Sequence, residues 1–303
     1  MENRIDMREK RSVCAVIVTY NKIDLLRECI AAVKKQSREV EHILVVDNNS
    51  TDGTLDFLKN EEGVDAVHMD RNIGGAGGFS TGIQKFISIR ADSYCWIMDD
   101  DTIPNKDCLM ELLNAEANLD NVGFLASNVR WTDNNPAVMN VPKTAIGWNE
   151  RASEGLIKIE RASFVSILVS REAIEKIGLP IAEFFIWGDD VEYTLRITKA
   201  GFNNYFVSNS MVLHKMKENI GIDIIKETNS NRINRYYVGN RNAIYTNRKL
   251  LGFKGVMKEL LKHIILIPKI LFKKNDKKLY KIFIVIKGTV VGFFFNPKIK
   301  YVK

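Results

Sequence analysis

Cysteine is scarce in this chain of 303 residues: Cys14, Cys29, Cys95 and Cys108 are the only four, no two are close in sequence, and each sits in an apolar pattern. That argues against a disulfide framework or a cysteine-built zinc site, and it fits a reducing, cytoplasmic setting. Histidine is as sparse, with four. No apolar run reaches the roughly 18 residues of a membrane-crossing helix. The charged stretch from Met1 to Arg11 lacks the apolar centre of a secretion signal, and there is no internal repeat or low-complexity tract. Acid is missing from one end of the chain. From Leu251 to Lys303 thirteen lysines face only Glu259 and Asp276, a net +11 in a chain of +7, so the first 250 residues stand at −4. No nucleic-acid recognition motif accompanies that basic tail, which excludes nucleic acid as the expected partner. An anionic membrane surface is expected instead, placing the protein peripherally on the inner face of the cell membrane.

What is present is a repeating strand-and-helix pattern, with 46% hydrophobic residues, enough for one large domain and an appendage. Val13 to Asn21 reads as a buried strand, and Leu25, Leu26, Cys29, Ile30 and Val33 follow at helical spacing. Ile43 to Asp47 repeats this before the turn-forming cluster Asn48 to Thr54 and a short helix. Ala66 to Met69 runs into Arg71-Asn72-Ile73-Gly74-Gly75-Ala76-Gly77-Gly78, read as a glycine-rich loop before a helix starting near Phe79. Tyr94 to Met98 ends in Asp99-Asp100-Asp101. The alternation predicts an α/β fold with a mainly parallel, Rossmann-like sheet whose loop clusters share the edge where open sheets bind ligands. Beyond it the spacing predicts a helix over 107–117, a strand over 122–129, a polar mobile loop over 131–161 and a strand over 163–169. A helix from Arg171, one from Asp189 to Ala200, and an extended segment from Phe202 to His214 follow.

Three adjacent carboxylates repel one another unless a cation or donors neutralise them. Alternate residues of an extended segment share a side, so Asp99 and Asp101 can face one ion while Asp100 points elsewhere. Oxygen ligands suit Mg²⁺ or Mn²⁺, the companions of a diphosphate, whereas the triplet by itself would read as a solvated acidic turn. Asp47 at a strand end can accept the N–H of a uracil or thymine ring, or serve as a turn carboxylate; Thr19 and Asn21 could line the same pocket. Arg71 and Asn72 offer donors, and the glycines around Gly75 would let backbone approach a ligand, though the spacing is neither that of a P-loop nor of a dinucleotide fingerprint. Trp187-Gly188-Asp189-Asp190-Val191-Glu192-Tyr193 opens a helix. Its three acids complement the helix dipole, and one of them in a cleft can act as a general base. A lone histidine such as His214 is ordinarily a core or surface residue.

In order and content these motifs, from Val18-Thr19-Tyr20-Asn21 through Val46 to Thr54, Arg71 to Gly78 and Asp99-Asp100-Asp101 to the Trp187 segment, resemble the inverting glycosyltransferases of family 2. Those enzymes have the GT-A nucleotide-sugar-binding fold, and the glycine-rich and Trp-Gly-Asp-Asp versions look most like the galactofuranosyltransferase branch, with rhamnosyltransferases second. The resemblance implies a catalytic domain over 1–215 and a helical, basic region over 216–303 for acceptor and membrane contact. It implies Asp47 as base-binding acid, Asp99, Asp101 and His214 as ligands of Mn²⁺ or Mg²⁺, Asp190 as catalytic base, and Trp187 in the wall where donor and acceptor meet. Thr19, Asn21, Arg71, Asn72, Gly75, Asp100 and Asp189 would line the nucleotide-sugar site. The donor would be a UDP-sugar or dTDP-sugar, and the acceptor a hydroxyl of a glycolipid or polysaccharide such as O-antigen or capsule. The long extra domains of the polymerising mycobacterial members have no counterpart in the sequence, so addition of one sugar is expected. A non-catalytic, membrane-associated nucleotide-binding module is the alternative; it would not need Asp99, Asp101, Asp190 and His214 together.

The stretch from Asn229 to Lys249, rich in Tyr, Arg and Asn, suits sugar or phosphate contact, or a helix packing its tyrosines on the main domain. His263 to Phe272 and Tyr280 to Ile286 are apolar runs between lysines. They are expected to lie in the plane of a membrane surface, the other reading being core-packing helices with lysines outward.

Overall fold

The computed structural model describes residues 11–89 and 92–302, so the charged N-terminal stretch lies outside them apart from Arg11. Strand β1 (Val13–Thr19) is buried at all seven positions. Strands β2 (His42–Asp47) and β4 (Tyr94–Asp99) flank it in parallel, and β3 (Val64–His68) continues the sheet beyond β2. A strand covered on both faces must be apolar throughout rather than alternating, as β1, β2 and β4 are, whereas β3 has no buried position. The rest of the sheet comprises β5 (Thr102–Pro104), β6 (Val122–Arg130), β7 (Lys143–Thr144), β8 (Leu156–Arg161), β9 (Ile167–Ser170) and β10 (Asn203–His214). The order is β3-β2-β1-β4-β9-β6-β10-β8-β7, with β5 paired to β10. The sheet is mixed, because β9 runs antiparallel between β4 and β6.

Helices α1 (Ile23–Lys34), α2 (Thr54–Asn60) and α3 (Gly74–Ile89) follow the first three strands. They are joined by α4 (Cys108–Glu116), α5 (Arg171–Ile177) and α6 (Asp189–Lys199). Leu26 and Ile30 of α1 and Leu109 and Leu112 of α4 cover one face of the sheet, against Ile17, Trp96 and Leu125. Phe79 and Ile83 of α3, Ile174 of α5 and Ile197 of α6 cover the other, against Val16, Ile97 and Phe124.

Two expectations are corrected here. The glycine-rich segment is not a loop: α3 already begins at Gly74. A Cβ at Gly78 or Gly82 would come within 2.5 or 2.4 Å of the Val18 or Val16 side chain, so these glycines let the helix press on β1. The segment 131–161 is built structure, with short 3₁₀ turns at Val138–Asn140 and Ala152–Glu154 and with β8 antiparallel to β10. Within β8 only Leu156 and Ile159 are buried, too thin an apolar signal to read as a strand.

The C-terminal part forms α7 (Ser230–Thr246), α8 (Gly252–Phe272) and α9 (Lys278–Phe294). Helix α7 does pack a tyrosine on the main domain: Tyr245 meets Phe184 edge-on, with ring centroids 5.5 Å apart. The chain after α9 returns to the sheet domain, where Leu179 N–H donates to Lys300 O at 2.8 Å. Lys281 breaks the lysines-outward pattern: it is fully buried and donates to Ile225 O and Asp276 Oδ1, each at 3.0 Å. No helix among the described residues is long and apolar enough to cross a membrane. Helices α8 and α9 nevertheless expose Phe253, Leu261, Ile264 and Phe272, and Leu279, Phe283 and Phe294.

Candidate active site

The parallel strands deliver their last residues to one edge, where Thr19 pairs with Asp47, and Val18 with Asp99. His214 ends β10 at the same edge, because β10 runs parallel to β6 and pairs antiparallel with β5, setting His214 against Thr102. Asp99, Asp101 and His214 thereby offer ligand atoms all within 4.8 Å of one another. Asn140 Oδ1 accepts from His214 Nδ1 at 2.8 Å, which directs Nε2 toward the acids, 3.0 Å from Asp101 Oδ1. Two carboxylates and an imidazole whose second nitrogen is held by a hydrogen bond are a donor set that fits Mn²⁺ or Mg²⁺. Burial and the neighbouring Asp101 push the Asp99 carboxyl up to about 7. Burial works the same way on Asp101, but hydrogen bonding and charge from His214, then Lys22, hold it well below the usual carboxylate range.

Lys22 was not anticipated. Its Nζ lies 3.1 Å from Asp100 Oδ1 and 2.7 Å from Asp101 Oδ2. Burial opposes its charge, yet Asp100 and Asp101 outweigh that and hold the ammonium above the ordinary lysine range. Asp100 shares Lys22 with Asp101 through Oδ1, while its Oδ2 accepts from Thr19 Oγ1 at 2.9 Å and Tyr20 N–H at 3.3 Å. Thr19 and Asp100 are both buried, and their hydrogen bond braces the end of β1 against that of β4.

Asp47 is enclosed as well. It is 0% exposed, its Oδ1 accepting from Ser50 N–H at 2.9 Å and its Oδ2 from His68 Nδ1 at 2.8 Å. In this arrangement it acts as a turn carboxylate that shapes the edge. Asn21 Oδ1 is taken by Thr51 N–H at 2.7 Å, and Asn72 Oδ1 by Gly74 N–H at 2.8 Å, so both side-chain oxygens hold loops. Arg71 is exposed and makes no hydrogen bond or ion pair among the described residues. Gly75 lines the cleft, and a Cβ there would meet nothing within 4 Å.

The Trp187 segment forms the opposite wall. Phe185, Trp187 and Gly188 have φ of 62°, 63° and 89°. Left-handed backbone at an aromatic residue is a strain that surrounding structure must impose. Here Asn242 of α7 imposes it, donating to Phe184 O at 3.0 Å, Ile186 O at 3.3 Å and Trp187 O at 2.8 Å. Gly74 is required opposite, since a Cβ there would lie 2.1 Å from Phe185 O. The turn aims the start of α6 into a cleft of 410 Å³ that Asp99, His214, Gly75, Trp187, Asp189 and Asp190 all line. Burial, then the charge of Asp190, raises Asp189 to about 8. Burial raises Asp190 to about 6, against the Val191 N–H and the charge of Arg161. Glu192, the third acid at the start of α6, is instead locked in the core: Arg196 Nε and Nη2 donate to its two oxygens at 2.9 and 2.8 Å.

A mixed sheet with paired acids and a histidine at one edge is the GT-A glycosyltransferase architecture. A crystal structure of GalNAc-T7 with UDP, GalNAc and Mn²⁺ superposes with a TM-score of 0.62, at 15% identity, over 78% of this chain and 47% of that one, a likeness of fold. The family model described as Glycosyl transferase family 2 matches residues 14–178, and the chain belongs to that family. It is similar to galactofuranosyltransferase GlfT1 of Mycolicibacterium smegmatis, 26% identical over 270 residues that cover 84% of this chain and 87% of that protein. It is also similar to dTDP-rhamnosyl transferase RfbF of Shigella flexneri, 26% identical over 264 residues, covering 82% and 86%.

Proposed function

We propose that the chain moves galactofuranose from UDP-galactofuranose to a hydroxyl of a lipid-linked or cell-surface glycan, with inversion at the anomeric carbon. One observation carries the mechanism: Asp99 and His214 on one side and Asp190 on the other line the same cleft. A divalent ion held by Asp99, Asp101 and His214 would supply Lewis-acid neutralisation of the leaving diphosphate. Lys22 adds a fixed positive charge beside those acids. Arg71 and the open backbone at Gly75 contribute donors and room for the nucleotide-sugar, while Asn21, Asn72 and Asp47 keep the loops around it in shape.

Asp190 takes the acceptor proton at its carboxylate as the hydroxyl oxygen bonds to the anomeric carbon from the face opposite the breaking sugar–phosphate bond. A carboxyl raised to about 6 is ionised at neutral pH, yet more basic than an ordinary aspartate, which suits that role. Asp189 and Trp187 bound the space where the two sugars meet. Residues 1–215 are the catalytic unit in this reading, and 216–303 contact the acceptor and an anionic membrane surface through the exposed apolar residues and lysines of α8 and α9.

Likeness to GlfT1 supports galactofuranose; likeness to RfbF favours the second reading, a dTDP-rhamnose donor, and uracil and thymine present the same hydrogen-bonding edge. Release of UDP or dTDP should be measured over a panel of UDP-, dTDP- and GDP-sugars with Mn²⁺. Preference for UDP-galactofuranose is expected. Turnover of dTDP-rhamnose alone contradicts the sugar assignment, and nucleotide binding without turnover of any donor would point to a binding module.

A further inference from the structure

A second cleft, of 280 Å³, lies behind the Trp187 wall and shares Trp187, Gly188 and Val191 with the first. It is built by β8, α7 and α8 rather than by the nucleotide edge. Three of its features are those of a ligand site rather than of packing. Arg161 is half-buried at the end of β8, and its guanidinium makes no hydrogen bond or ion pair among the described residues, although its charge partly offsets the rise of the Asp190 pKa. Asn240 of α7 carries a buried Nδ2 with no partner, an omission that ordinarily costs stability unless a ligand supplies the acceptor. Trp187 and Tyr236 meet edge-on, with centroids 5.0 Å apart at 80°, giving an aromatic wall. The cleft is continuous with another of 490 Å³ through Tyr236, Asn240 and Lys262, and that one reaches Ile265 and Lys269 on the exposed side of α8.

We infer that this second cleft is the acceptor subsite, and that the acceptor carries an anionic group, a phosphate or a carboxylate, close to its reacting sugar. The inference rests on the transferase reading above. The aromatic wall seats the sugar next to Asp190; the Arg161 guanidinium and the Asn240 amide donate to the anion. Lys262 cannot do this alone, since it donates to Glu259 at 2.7 Å, which leaves Arg161 as the group that selects for charge.

Binding, measured apart from turnover, tests this. Butyl galactoside, its phosphodiester analogue and butyl galacturonide would be titrated by NMR into the full chain with UDP and Mn²⁺. At least one anionic probe should bind about 10–100-fold more tightly than the neutral one. Arg161→Gln should remove that preference while leaving Mn²⁺–UDP affinity within twofold, and Asn240→Asp, a near-isosteric change, should weaken the anionic probe most. Equal binding of all three probes by the wild type, or a preference that survives in Arg161→Gln, overturns the inference. Charge-selective binding without any sugar transfer would instead sink the transferase reading and leave this subsite standing.

Discussion

Asp101 and the acids across the cleft, Asp189 and Asp190, are held in opposite ways. Asp101 is flanked by Lys22 Nζ at 2.7 Å and His214 Nε2 at 3.0 Å, and Lys22 also reaches Asp100 at 3.1 Å, whereas burial raises their neighbour Asp99 to about 7. Asp189 and Asp190 make no ion pair among the described residues; Asp190 has the Val191 N–H at 2.7 Å, and both carboxyls are raised. A carboxylate surrounded by cations is a weak base and a ready ligand, whereas one buried without them seeks a proton. Binding and proton transfer are thus separated by the company each acid keeps, over the width of one cleft.

The comparison breaks most visibly at Asp101. Asp101→Asn removes a ligand and the partner of Lys22 and His214, and kcat/KM should fall by about 10³-fold or more with loss of Mn²⁺ affinity; excess EDTA on the wild type should have the same effect. Asp190→Asn should lower kcat by about 10²–10⁴-fold. In the wild type the rate should rise with pH as Asp190 loses its proton and level off above about 6, because below that value the base is already protonated. Glu192→Gln sharpens the contrast within one helix: breaking its buried pair with Arg196 should cost about 3–5 kcal/mol of stability in a denaturant titration, with the pH–rate profile unmoved. The smallest effect is expected of Asn140→Ala, which frees the His214 ring and should weaken Mn²⁺ binding about 10–100-fold, read by calorimetry.

The buried strands and the acids that end them could be read from sequence, because double-sided burial forces apolar runs and a strand end leaves carboxylates at a known edge. The partnership of His214 with Asp101 could not be read from spacing, since 113 residues separate them and the pairing of β10 with β5 brings them together. Asn140 and Arg161 lie where no periodicity marks structure, in a segment whose strands are held mainly by backbone hydrogen bonds. Asp47 shows a different limit: the right residue sits at the right edge, but its carboxylate is spent on Ser50 and His68, and only loop geometry decides that. The glycine segment misled for a related reason, as close helix–sheet packing and a ligand loop ask for the same residue.

The separation of binding from proton transfer is tested most directly by titrating UDP with Mn²⁺ into Asp101→Asn and Asp190→Asn by calorimetry, beside single-turnover transfer by the same preparations. Asp190→Asn should bind as the wild type does and transfer slowly, and Asp101→Asn should lose both. Weakened UDP binding in Asp190→Asn, or wild-type binding in Asp101→Asn, would contradict it.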